Sequence, residues 1–225
     1  RGPDSSGVAL YGDHGSDRYV MRIKLGEQGP FDTIAARVIE QMNGVGSVLD
    51  SRMQGPSLRL LVESQEQPKQ LEETILATAA QIEVVSMGHR LEIVKQVGSP
   101  ANLEATYAVS SVVGTHGIGH TRMSTESRVD LSHSQPFWAH GRPDVAVVHN
   151  GHITNYHKMR RIYEQQGHNF YTENDSEIIG LYIADQMSQG ATYEEALRTS
   201  LKDFDGAFSY LAATDNCLGY VKDPF

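Results

Sequence analysis

The residues with the most chemistry in this sequence gather between His116 and Asp175. The run Gly117-Ile118-Gly119-His120-Thr121-Arg122 ends a strand-like stretch with two glycines, where another group can approach the backbone closely. Arg122 presents a planar, permanently charged fork that suits two parallel hydrogen bonds to a carboxylate. His149-Asn150-Gly151 follows directly on an apolar strand. An asparagine amide beside a glycine N–H supplies two donors that can converge on one oxygen, as in an oxyanion hole. Asn174-Asp175-Ser176-Glu177 places a carboxylate at a helix start, ready to pair with an ammonium group. Each has an ordinary alternative: a surface salt bridge for Arg122, a tight turn for Asn150-Gly151, and a capping box for Asn174 with Glu177. As a set they describe a site for a zwitterion. Arg122 takes a carboxylate, Asp175 an ammonium, and Asn150 with Gly151 a carbonyl that becomes negatively charged. An α-amino acid with a reactive side-chain carbonyl fits.

The elements that must position these residues show in the hydrophobic periodicity. Residues 8–12 and 19–25 alternate as strands, and the stretch between them is rich in turn formers. From Phe31 the period changes: Phe31, Ile34, Ala35, Val38, Ile39 and Met42 share one helical face, and Gly44 is the natural stop. Residues 57–63 suggest a strand, 68–81 a helix and 89–97 a further strand. This middle region resembles a small ferredoxin-like α+β module, closed by Ser99-Pro100. Downstream, 145–149 is a short buried strand, and Tyr156, Met159 and Tyr163 mark a helix ended by Gly167. Ile178, Ile179, Tyr182 and Ile183 stripe the helix opened by Asn174 and Glu177. Thr192 with Glu195 repeats the capping device for a helix that buries Ala196, Leu197, Ser200, Leu201 and Phe204. Gly206 then releases the chain into strands at 207–214 and 218–222.

With 225 residues, 39% of them hydrophobic, the chain can bury a substantial core. A net charge of -9, from 19 basic and 28 acidic residues, lacks the footprint of a nucleic-acid or anionic-membrane binder. No apolar run approaches the roughly 18 to 20 residues of a membrane helix. The lone Cys217 excludes an intrachain disulfide and a cysteine-based zinc cluster, and a reducing cytoplasm is expected.

Arg1-Gly2-Pro3-Asp4-Ser5-Ser6-Gly7, Gly119-His120-Thr121-Arg122, His149-Asn150-Gly151 with Ile153-Thr154-Asn155-Tyr156, and Asn174-Asp175-Ser176-Glu177 follow one another in the order of the class II glutamine amidotransferase signatures. The chain resembles that family over its start and from about Gly114 onward. Asp205-Gly206-Ala207-Phe208 and Gly219-Tyr220-Val221-Lys222-Asp223-Pro224 also fit. Thr115 to Met123 looks closest to the stand-alone amidotransferase subunits of glutamate-synthase-like and N-methylglutamate-synthase-like complexes. The resemblance implies an α+β fold, the Ntn-hydrolase four-layer αββα sandwich. Residues 1–14 and 99–225 would form the amidotransferase part, incomplete at both ends, and 15–98 the inserted module.

It also implies site roles. Arg122 would bind the glutamine α-carboxylate with Thr125 assisting, Asp175 the α-ammonium, and Asn150 and Gly151 the tetrahedral oxyanion. The nucleophile would be an N-terminal cysteine upstream of Arg1, so the chain as given is expected to be inactive alone. L-Glutamine would be hydrolysed to glutamate, and ammonia passed to a synthase partner within a hetero-oligomer. The chain itself would hold no cofactor or metal, whereas a partner subunit could carry a flavin or an iron–sulfur cluster. Met123 stands where many members have tryptophan, Glu126 where they have histidine, and His133-Ser134-Gln135-Pro136-Phe137 departs from the usual Ala-His-Pro-Phe.

Two other functions are open to the same residues. Ten histidines, His116, His120, His133, His140, His149 and His152 among them, invite a metal-dependent hydrolase completed by Asp130 or Asp144. In a strand, however, His116 and His120 would lie about 13 Å apart and could not share one ion. A chain without the nucleophile would instead be an inactive scaffold or a glutamine sensor, since Cys217 sits late in the chain at a position typical of a structural thiol.

Overall fold

The computed structural model describes residues 4–123, 130–168 and 170–224. In chain order its elements are β1 (Ser5–Tyr11), β2 (Arg18–Lys24), α1 (Phe31–Asn43), β3 (Ser47–Gln54), β4 (Ser57–Glu63), α2 (Pro68–Leu76), β5 (Glu83–Gly88), β6 (Leu91–Val97), α3 (Pro100–Tyr107) and β7 (His116–Arg122). There follow β8 (Phe137–Trp138), β9 (Ala146–Ile153), α4 (Tyr156–Gln165), α5 (Ser176–Ser188), α6 (Tyr193–Asp203), β10 (Gly206–Ala213) and β11 (Leu218–Lys222).

Three antiparallel sheets result. In the first, β1 lies between β6 and β7, and in the second the order is β11-β10-β9-β8. The glycines of β7 let it lie close to β1: a Cβ on Gly117 would come within 2.8 Å of the Ala9 carbonyl oxygen. Ala9, Tyr11 and Ile118 of the first sheet share one core with Ala146, Val148 and Ala213 of the second. The Tyr11 hydroxyl fastens the two by donating to the Ala213 carbonyl at 2.8 Å. The opposite face of the second sheet, with Val147, Phe208, Tyr210 and Ala212, packs on Ile178, Ile179, Tyr182 and Ile183 of α5. Thr192 and Glu195 form the expected capping box of α6, whereas Leu201, expected inside, is 40% exposed.

The third sheet has the order β3-β4-β2-β5. With α1 between β2 and β3 and α2 between β4 and β5, this is the ferredoxin-like βαββαβ arrangement. Val38 and Met42 of α1 and Leu71 and Ile75 of α2 are fully buried with Met21, Ile23, Leu58, Leu60 and Val62. Each such side chain contributes about 1.5–3 kcal/mol by leaving water. The other face is charged, and there Arg22 of β2 and Arg59 of β4 both bind Glu92 of β6.

The structure corrects the expected module in three places. The polar run of β3 forms a mostly exposed edge strand, so alternation did not reveal it. Helix α2 ends at Leu76 rather than 81. The strand expected at 89–97 is present as β6 and pairs with β1, but it is preceded by a strand that was not expected, β5, which joins the module. The sheet and helices of the module lie within residues 18–88, and β6 joins the first sheet. The carboxylate of Asp144, more than fifty residues away, accepts the N–H groups of His89, Arg90 and Leu91 at 3.1, 2.8 and 2.8 Å and fixes the turn between β5 and β6. Among the described residues no helix is long and apolar enough to cross a membrane.

Candidate active site

One open cleft of about 980 Å³ is lined by residues of β7, β9 and the start of α5. Arg122 ends β7 opposite Ser5, and its Nη1 donates to the His133 carbonyl at 3.0 Å. Asn150 and Gly151 are not in a turn: they lie within β9, opposite Ser209 and Phe208 of β10. Gly151 has φ 126°, and a Cβ there would sit 2.2 Å from the Ala207 carbonyl oxygen, so only glycine fits this bend of the strand. Both residues are exposed to the cleft.

Asp175 caps α5, although its side chain makes no cap bond. Its Oδ2 accepts the Ile153 N–H at 2.8 Å, and Oδ1 lies 3.4 Å from Nδ1 of His149. Burial raises the Asp175 carboxyl, but the hydrogen bond and charge of His149, with the Ile153 N–H, outweigh it and hold the group below the ordinary aspartate range. The carboxylate is thus anionic at neutral pH, where an amino acid carries its ammonium. The expected capping box with Asn174 and Glu177 does not form. Asn174 Oδ1 accepts the Ser176 N–H at 3.0 Å, and buried Glu177 turns to Thr172 and Tyr171.

Arg122, Asn150, Gly151 and Asp175 therefore line the same cleft. Thr125 lies outside the described residues. Met123 is 61% exposed at the cleft wall, where its thioether offers flexible apolar surface. Cys217 is in the turn between β10 and β11 and does not line the cleft. His116 stacks on Tyr11 and donates from Nε2 to the Thr214 carbonyl at 2.8 Å, a tie between the two sheets. Among the described residues no three metal-ligating side chains converge.

Sequence reasoning gave His149 no role beyond the metal alternative and gave Gln135 none. His149 is 4% exposed, with Nδ1 2.9 Å from Ser176 Oγ and a buried Nε2 that has no hydrogen-bond partner. His120 likewise lines the cleft with a buried, unpartnered Nδ1. Burial, then the charges of Arg122 and His149, lowers the His120 pKa. The only signals for these residues were the histidine before Asn150-Gly151 and the unusual Ser134-Gln135-Pro136 sequence.

Residues 120–225 match the family model of a glutamine amidotransferase domain. A protein of Methanothermobacter thermautotrophicus, whose name places it provisionally among glutamine amidotransferases, is 40% identical over 99% of this chain and 75% of its own length. The glutamine amidotransferase-like protein GlxB of Rhizobium meliloti is 30% identical over 100% of this chain and 72% of its own. The glutamine phosphoribosylpyrophosphate amidotransferase structure from B. subtilis superposes with a TM-score of 0.50 at 19% identity. That match covers 92% of this chain and 37% of the other, and it shows the fold, the α+β Ntn-hydrolase sandwich. By its relatives along nearly its whole length, the chain belongs to the class II glutamine amidotransferases.

Proposed function

We propose that this chain is the glutamine-hydrolysing part of an amidotransferase that supplies ammonia to a synthase partner. The amidotransferase part comprises 1–14 and 99–225 together with β6, and 18–88 is an inserted module. The observation that carries the function is the convergence of Arg122, Asp175, Asn150 and Gly151 on one cleft. Two opposite charges and a pair of donors in one cleft match the α-carboxylate, α-ammonium and side-chain carbonyl of L-glutamine. Thr125 assists Arg122 at the carboxylate.

The nucleophile is the thiolate of an N-terminal cysteine upstream of Arg1, and its own α-amine is the base. Sulfur attacks the side-chain amide carbon, and negative charge develops on the oxygen beside the Asn150 amide and the Gly151 N–H. Collapse breaks the C–N bond, and the nitrogen leaves as ammonia with the proton held by the α-amine. Water then cleaves the glutamyl thioester to glutamate and regenerates the thiol. Ammonia passes to a synthase subunit in a cytoplasmic hetero-oligomer, in which a flavin or iron–sulfur cluster would belong to the partner.

Steady-state release of glutamate from L-glutamine by the full-length protein tests this. Activity abolished by alanine in place of the N-terminal cysteine, and KM raised at least tenfold by Arg122→Ala, is the expected outcome, since hydrogen bonds to charged groups contribute about 1.5–3 kcal/mol. Glutamine binding without hydrolysis by the intact protein would overturn it in favour of a glutamine sensor.

A further inference from the structure

The short segment 133–135 touches both sides of the cleft. The His133 carbonyl accepts from Arg122, and the Ser134 carbonyl accepts at 3.0 Å from Nζ of Lys95, itself 3% exposed. Gln135, 6% exposed, uses both ends of its amide on one residue. Its Oε1 accepts the His149 N–H at 2.6 Å, and its Nε2 donates to the His149 carbonyl at 2.9 Å.

This grip falls where the second sheet runs out of backbone partners. Strand β8 pairs with β9 only at Phe137↔Val147 and Trp138↔Ala146. Two residues further along β9, the Gln135 side chain takes the place of the missing strand. The carbonyl it holds belongs to the peptide whose other end is the Asn150 N–H. Fixing that carbonyl fixes the plane of the peptide entering Asn150-Gly151.

We infer that Gln135 is a positioning residue for the oxyanion hole. It sets the angle at which Asn150 and the Gly151 N–H meet the substrate oxygen, and through His133 the same segment ties that hole to the carboxylate anchor Arg122. The inference rests on the glutamine-hydrolysis function proposed above. Its energetic scale follows from geometry, because a displacement of about 1 Å at a reacting centre costs on the order of a hundredfold in rate.

The test is glutamine hydrolysis by the full-length protein carrying Q135L, N150A or both, beside Q135E, which keeps an acceptor for the His149 N–H but loses the donor to its carbonyl. Q135L is expected to lower kcat about 10- to 100-fold with KM for L-glutamine within about threefold, and Q135E to fall between it and wild type. The double variant is expected to be no slower than N150A within about twofold, since both changes remove the same stabilisation. A Q135L kcat within about twofold of wild type, or Q135L and N150A effects that multiply, would overturn the inference while leaving glutamine hydrolysis intact. If neither Q135L nor Q135E folds, Gln135 serves the fold rather than the site and the inference fails. Absence of hydrolysis by the wild-type enzyme overturns the function itself, and this inference with it.

Discussion

On the charged face of the ferredoxin-like module, Arg22 and Arg59 both close on Glu92, and Arg59 also reaches Asp50 at 3.3 Å. In the cleft two buried polar atoms are left open. His120 Nδ1 and His149 Nε2 are two of the three buried side-chain nitrogen or oxygen atoms without a hydrogen-bond partner among the described residues. Buried polar atoms are nearly always paired, and each unpaired one costs about 1–3 kcal/mol. A region that exists to hold two sheets together satisfies its polar groups internally. A region that receives a ligand keeps part of its hydrogen-bonding capacity unspent until the ligand arrives.

The largest expected effect breaks the closed network. Glu92→Gln leaves two largely buried guanidinium groups facing a neutral amide and is expected to lower unfolding free energy by about 3 kcal/mol, with kcat unchanged while the protein stays folded. Chemical denaturation with parallel assays of glutamate release measures both. The sign with pH is fixed: burial raises the Glu92 carboxyl, but Arg22 and Arg59 pull it below the usual glutamate range. Its contribution is therefore full above the unfolded glutamate pKa and lost as pH falls through the lower folded one, and the Gln variant is expected to flatten that acid limb.

Next is Asn150→Ala, expected to lower kcat about 10²–10³-fold by removing one donor of the proposed oxyanion hole, with the melting temperature nearly unmoved. A loss of stability as great as that from Glu92→Gln would erase the contrast between the two regions. Asp175→Asn is expected to raise KM for L-glutamine about tenfold or more through loss of the proposed ammonium partner. A deaminated glutamine analogue should show no such difference between the two proteins.

The smallest expected effect concerns His120. Burial and its cationic neighbours lower its folded pKa, so below the ordinary histidine pKa the unfolded chain binds more protons than the fold. Stability then declines as pH falls from about 7 toward 5. His120→Gln is expected to reduce that decline slightly, and melting curves across this range would show it.

Much of this was legible in the sequence. Apolar stripes predicted α1, α4, α5 and α6, because a helix face repeats in sequence as it does in space. The cleft residues stood out because Arg122, Asn150, Gly151 and Asp175 are few and chemically distinct. Gln135 stayed hidden, since its partner is the backbone of His149 and a backbone group has no sequence signature. The exposed edge strand β3 stayed hidden for a related reason, as neither of its faces is uniformly apolar.

The order of signatures, the helical periods and the types of charge in the cleft belong to the sequence alone, because they depend on side-chain chemistry and local spacing. The set of the turn between β5 and β6 depends on Asp144 reaching across to it, and the set of the peptide before Asn150 on Gln135. These are contacts between residues far apart or through main-chain atoms, and such partners are chosen only when the folded chain brings them within hydrogen-bonding distance.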